Sequence, residues 1–116
     1  MTSLLIGSWY TSHEDPNYSS GNAISTYMQD GTVTYRGYSD IFCKKLEIQT
    51  KATWHIKNGD LYITADSSTA PTIHPAGLTV ADNIIDINKK SKTLLSIPEG
   101  IIQYSTKEDT CINTAI

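Results

Sequence analysis

"LEIQTKATWHI", residues 46–56, alternates without a break. Leu46, Ile48, Thr50, Ala52, Trp54 and Ile56 share one face, and Glu47, Gln49, Lys51, Thr53 and His55 share the other. A period of two is the mark of a strand that turns one side to a core and the other to water. At about 3.3 Å per residue the run exceeds roughly 30 Å, longer than a common strand. The length predicts a bend or bulge near residues 50–52, as where a sheet curls over itself.

Working outward, turn signals cut the chain into similar pieces. Asn58-Gly59 joins the long run to 61–65, and Asp30-Gly31 lies between 23–29 and 32–38. Both pairs suit a type I′ hairpin, whose two central residues take positive φ. Pro98-Glu99-Gly100 separates 93–97 from 101–106, and a polar turn at 89–92 follows a short strand at 83–88. With a first strand around "LLIGSWYTSHE" (4–14), the total is about eight strands joined mostly by hairpins. The longest loop is "SSTAPTIHPAG", 67–77. No window carries a helical period. Hairpin after hairpin gives an antiparallel meander, which hides its edges best by closing into a barrel. The expected fold is therefore all-β: an up-and-down antiparallel barrel.

The chain has 116 residues, 39% hydrophobic and 18% charged. That composition describes one ordinary globular domain over 1–116, with a core from 4 to 107 and a tail from 108 to 116. No stretch is long and apolar enough to span a membrane. Residues 1–6 lack the basic start and long apolar run of a signal peptide. The protein is thus expected either to stay in the cytoplasm or to have had a leader removed. Net charge is −3, and the only basic pairs are Lys44-Lys45 and Lys89-Lys90. Nucleic acid is excluded as a partner, since a phosphate backbone needs a concentrated positive face.

The chemistry-bearing residues form no motif. His13-Glu14-Asp15, with His55 and His74 elsewhere, is the one cluster with metal-binding or acid–base potential, and it reads as a solvated loop before Pro16. There is no Gly-x-Ser-x-Gly, phosphate loop or HExxH. No enzyme, no metal and no cofactor are expected. Cys43 and Cys111 have no zinc-finger spacing; from the residues alone they are either two buried thiols or one disulfide. Of the seven tyrosines, alternation turns Tyr10, Tyr27 and Tyr62 outward, where they serve as cross-strand packing or as a protein-binding face.

Gly7-Ser8-Trp9 resembles the Gly-x-Trp opening of the lipocalins, and above all of short bacterial lipocalin-like domains. Asp30-Gly31-Thr32, then Trp54 to Ile63, then "TLLSIPEGIIQYSTK" (93–107) follow in the order those domains show. The resemblance covers roughly 4–107. It implies that Trp9 plugs the closed end of the barrel, that Gly7 lets backbone pass close to it, and that Lys107 covers the indole where lipocalins use an arginine. The helix that follows the barrel in full-length lipocalins is missing. The resemblance also implies a small apolar ligand in the barrel mouth, with an inward set of Ile24, Met28, Val33, Tyr35, Leu46, Ile48, Ile63, Ile85 and Tyr104. It places Cys43 and Cys111 where a lipocalin disulfide ties the C-terminal segment back to the fourth strand. Such a bridge persists in an oxidising compartment, which implies a periplasmic or secreted protein. Two alternatives stay open. The order Cys43, Trp54, Cys111 also fits an immunoglobulin-like sandwich, although too many strands precede Cys43 and Asp109 stands where that fold has its corner tyrosine. Functionally, the alternative is an inhibitor or immunity-type module that binds a protein through loops such as 13–22 and 67–77.

Overall fold

The computed structural model describes residues 2–13, 21–40, 42–72, 74–97 and 100–109. One helical turn, α1 (Thr2–Leu5), precedes eight strands: β1 (Gly7–His13), β2 (Gly21–Tyr27), β3 (Thr32–Tyr38), β4 (Leu46–Lys57), β5 (Asp60–Ser68), β6 (Thr79–Ile87), β7 (Ser91–Ile97) and β8 (Ile102–Thr106). Each pairs antiparallel with the next, and β8 returns to β1, so the meander closes into a barrel. Closure rules out the two separate sheets of a sandwich. The long alternating run is the single strand β4, and its pairing with β5 shifts register between Lys51 and Ala52. Further shifts fall at Gly37/Tyr38 and Ile84/Asp86.

The two hairpin signals resolve differently. Asn58 (φ 54°) and Gly59 (φ 81°) are both left-handed, as a type I′ turn requires. At Asp30-Gly31 only Gly31 has positive φ, which corrects the type I′ expectation there. The Asp30 carboxylate instead accepts the Thr32 N–H at 3.0 Å and its hydroxyl at 2.6 Å. Met28 N–H donates to Thr32 O at 2.8 Å, so the loop holds three residues rather than two.

Helix α1 replaces the strand start expected near residue 4. Its apolar end turns inward: Leu5 is fully buried, and its carbonyl accepts the Trp9 indole N–H at 2.8 Å. Leu5, Trp9, Tyr27, Val33, Ala52, Trp54, Leu61 and Leu94 form the main core, with Ile56, Ile63 and Ile84 packed on it. A second, smaller cluster lies on the outer face, where Tyr10 and Ile24 pack with Tyr38 and Cys43.

Candidate functional site: the two ends of the lumen

Strand register decides which side chains face the lumen, because directly paired residues share a face. Trp9 faces inward, so its partner Ser25 does too; so do Tyr35, across from Ser25, and Thr50, across from Tyr35. On the far wall the inward residues are Leu61, Asp82, Ile84, Lys92, Leu94 and Ser105, by the same rule.

The closed end is aromatic and cationic. Trp9 has no solvent exposure. Lys107 Nζ sits 4.5 Å from its ring centroid and donates to the carbonyls of Leu4 (3.2 Å) and Ile6 (2.5 Å), tying α1 to the end of β8. Gly7 is needed for this lysine: a Cβ there would lie 2.6 Å from Lys107 Cε, and its φ of +121° disfavours any other residue. The close approach is thus to Lys107, rather than of backbone to Trp9. On the lumen side Lys92, only 3% exposed, holds Nζ 5.0 Å from the Trp9 ring and 4.6 Å from the Tyr27 ring. It also donates to Tyr27 Oη at 3.4 Å. Trp9 therefore has two ammonium groups about it. Burial pushes the Lys92 amine down to about 7; Asp82 nearby opposes this and Lys107 adds to it. Burial, with Asp82, holds the Tyr27 phenol well above its ordinary value.

The open end is polar. Thr50 Oγ1 donates to Ser68 Oγ at 2.9 Å and lies 2.8 Å from His74 Nδ1. The one hydroxyl proton of Thr50 goes to Ser68, so the imidazole carries its proton on Nδ1 and donates to Thr50. His74 comes from the 69–78 loop and packs edge-on against Tyr35, centroids 5.6 Å apart. Partial burial lowers its pKa, so the ring is neutral at neutral pH. Above Trp9 the wall is small and closed: Ala23, Thr50 and Ser105 are buried, and Thr11 and Ser105 share a hydrogen bond of 2.6 Å. Ile48 and Tyr35 lie across Gly37, where a Cβ would meet Ile48 Cγ2 at 2.7 Å and Tyr35 at 3.4 Å. Side chains of the protein itself thus occupy the lumen from base to mouth. Two shallow grooves, of about 320 and 640 Å³, open outside the closed end; both border Lys107 and Glu108.

Of the inward set expected from sequence, Val33 and Ile63 join the base packing, and Tyr35 and Ile48 fill the mouth. Five positions need correction. Ile24 is buried, but on the outer face beneath Tyr38 and Cys43. Met28 and Leu46, each 50% exposed, sit in the β2–β3 loop and at the first residue of β4. Ile85 is the extra residue of the β6 bulge, and Tyr104 pairs with Thr93 on the outer face. One tyrosine is corrected as well: Tyr27 faces the core. Tyr10 lies outward as expected, packed on its cross-strand partner Ile24 and buried there. Tyr62 does lie outside, stacked on His55 at 5.1 Å. Lys92 and Asp82 were not legible in the chain: the polar turn expected at 89–92 ends in the first residues of β7, and β6 starts at Thr79, ahead of the strand expected at 83–88, so both charged residues fall on strands and face inward. His74 also carried no signal, because only the folded loop brings it to Thr50. Glu14, Asp15 and Cys111 lie outside the described residues, as does most of the 13–22 loop.

No protein-family model matches this chain, and no curated protein matches it. Solved structures do. A lipocalin-like protein from Bacteroides uniformis superposes with a TM-score of 0.61 at 14% identity, over 90% of this chain and 99% of that one. An uncharacterized protein from Bacteroides eggerthii gives a TM-score of 0.60 at 13% identity, with the same coverage of each chain. At these identities the likeness speaks for the fold, and the fold of this chain is a lipocalin-like, closed, eight-stranded up-and-down barrel.

Proposed function

We propose that this chain is a non-catalytic binding module that meets a protein partner through its outside and its loops. The supporting observation is the occupied lumen: Trp9, Tyr27 and Trp54 fill the base, and Ile48, Tyr35 and His74 fill the mouth. Eight strands leave room for side chains or one small ligand, and here side chains take that room. The described part of the 69–78 loop stands at the mouth with Leu78 exposed, and it is the surface we assign to the partner. A second reading, a carrier of a small apolar ligand, draws on the likeness to a lipocalin-like protein. For that, the His74 loop has to swing away and Ile48 has to move.

A fluorescent fatty acid separates the two readings. The module reading expects no one-to-one binding by the wild type. Stoichiometric binding that Ile48→Trp abolishes, with the fold intact by circular dichroism, overturns it in favour of the carrier.

We also propose that Cys43 is bridged to Cys111 and that the protein works in an oxidising compartment. Cys43 is half-buried beside Tyr10 and Ile24 just ahead of β4. The bridge is supported by the placement of the two cysteines relative to β4 and the last strand. Export rests on the bridge alone.

A further inference from the structure

We infer that α1 is a plug worked by pH: when Lys92 takes up a proton, the clasp of α1 and Lys107 on Trp9 loosens and water reaches the base of the lumen. The proposed function, which uses the loops at the open end, plays no part in this.

The closed end holds one indole and two amines. Lys107 Nζ lies 4.5 Å from the Trp9 ring centroid, and Lys92 Nζ lies 5.0 Å from it. Lys107 donates to the carbonyls of Leu4 and Ile6, and the indole N–H donates to the carbonyl of Leu5. Trp9 and Lys107 thus grip α1 by its carbonyl oxygens, with Leu5 buried behind them. Those carbonyls favour the charged form of Lys107, because they accept its hydrogen bonds.

Lys92 is placed differently. Among the described residues, the titratable or charged groups that face it are Tyr27 from β2, Asp82 from β6 and Lys107 after β8. β1 and β8 present Trp9 and Ser105, which carry no charge. Tyr27 stays neutral, since burial holds its phenol above the ordinary value. Burial opposes a proton on Lys92 most strongly; Asp82 favours it and Lys107 opposes it. A proton on Lys92 therefore puts a second positive charge beside the ring that Lys107 already occupies, in a place nearly closed to water.

Hydration relieves that charge. Side chains fill the lumen above Lys92, and Trp9 with α1 closes it below. The weaker closure is α1, a single turn of four residues, far too short to persist as a helix unaided. Lifting it takes Leu5 and Lys107 off Trp9 and lets water reach Lys92. A local opening of this kind needs less free energy than unfolding the barrel. Its pH dependence has a fixed sign. Below about 7 the closed and open forms both hold the proton, and the plug is at its loosest. Above that the closed form loses the proton while the open form keeps it up to about 10.5. Each pH unit in between makes opening about tenfold rarer.

Hydrogen exchange of the Trp9 indole N–H, followed by NMR from pH 6 to 9 on the full chain, tests this. Protection is taken relative to a free indole at the same pH, which removes the chemistry of exchange itself. The expected protection is flat up to about pH 7 and then rises about tenfold per unit. At every pH it should stay below that of the β4 and β5 amides, which exchange only when the barrel unfolds. Lys92→Met, with its fold checked by circular dichroism, should hold the indole at high protection with no slope. Lys107→Gln should lower protection across the whole range. Flat protection in the wild type overturns the inference, as does a slope that persists in Lys92→Met. So does a Trp9 protection equal to that of the β4 and β5 amides, or one that Lys107→Gln leaves unchanged.

Discussion

Replacing Lys92 by methionine should stabilise the protein at neutral pH, and the gain should fade as pH rises. The amine is nearly excluded from water, between the rings of Trp9 and Tyr27. Its pKa falls from 10.5 to about 7 in the folded state, with burial as the leading cause. At about 1.36 kcal/mol per unit, the folded state disfavours the charged form by about 5 kcal/mol. The sign follows from proton counts. Below pH 7 both folded and unfolded chains hold the proton, and the full penalty is present. Between about 7 and 10.5 only the unfolded chain holds it, so stability rises with pH. Above 10.5 neither holds it and the penalty is gone. That shift is a net one, so any attraction of the ammonium to the two ring faces is already within it. The gain from Lys92→Met at pH 7 is therefore about 5 kcal/mol at most, with the apolar thioether filling the same space. Urea denaturation followed by tryptophan fluorescence, from pH 6 to 10 on both proteins, measures the difference. A difference that stays flat with pH refutes the burial of an ionisable amine at the base of the barrel.

Trp9→Ala should cost about 3–5 kcal/mol, as large aromatic truncations in cores do; chemical denaturation reads it, and a loss of a few tenths would mean that the base does not depend on the indole. If the Cys43–Cys111 bridge forms, closing a loop of nearly seventy residues should add about 4 kcal/mol in chain-entropy terms. Intact mass with and without reductant, with thiol counting under denaturant, checks it, and two free thiols in protein taken from an oxidising compartment remove both the bridge and the inferred export.

Much of the architecture could be read from the chain. The unbroken alternation of 46–56 made β4, and its excess length announced the shift at Lys51/Ala52. Asn58-Gly59 fixed its hairpin because only a pair tolerant of positive φ fits a two-residue I′ loop. Gly-x-Trp marked the base of the barrel. What the chain alone left undecided was phase, that is, which side of a strand is inside. On β2 the pattern pointed Ile24 inward, yet the core took Ala23, Ser25 and Tyr27, and Ile24 was covered from outside by Tyr38 and Cys43. On β7, "SKTLLSI" has apolar residues on both faces; pairing with Ile87 and Ser105 put Lys92 in the lumen and left Ile97 in water. His74 met Thr50 through a loop contact 24 residues apart. Alternation sets a strand's period, but a strand apolar on both sides has two equivalent phases. Barrel closure and the segments laid over its outer wall choose between them, and both are properties of the whole fold.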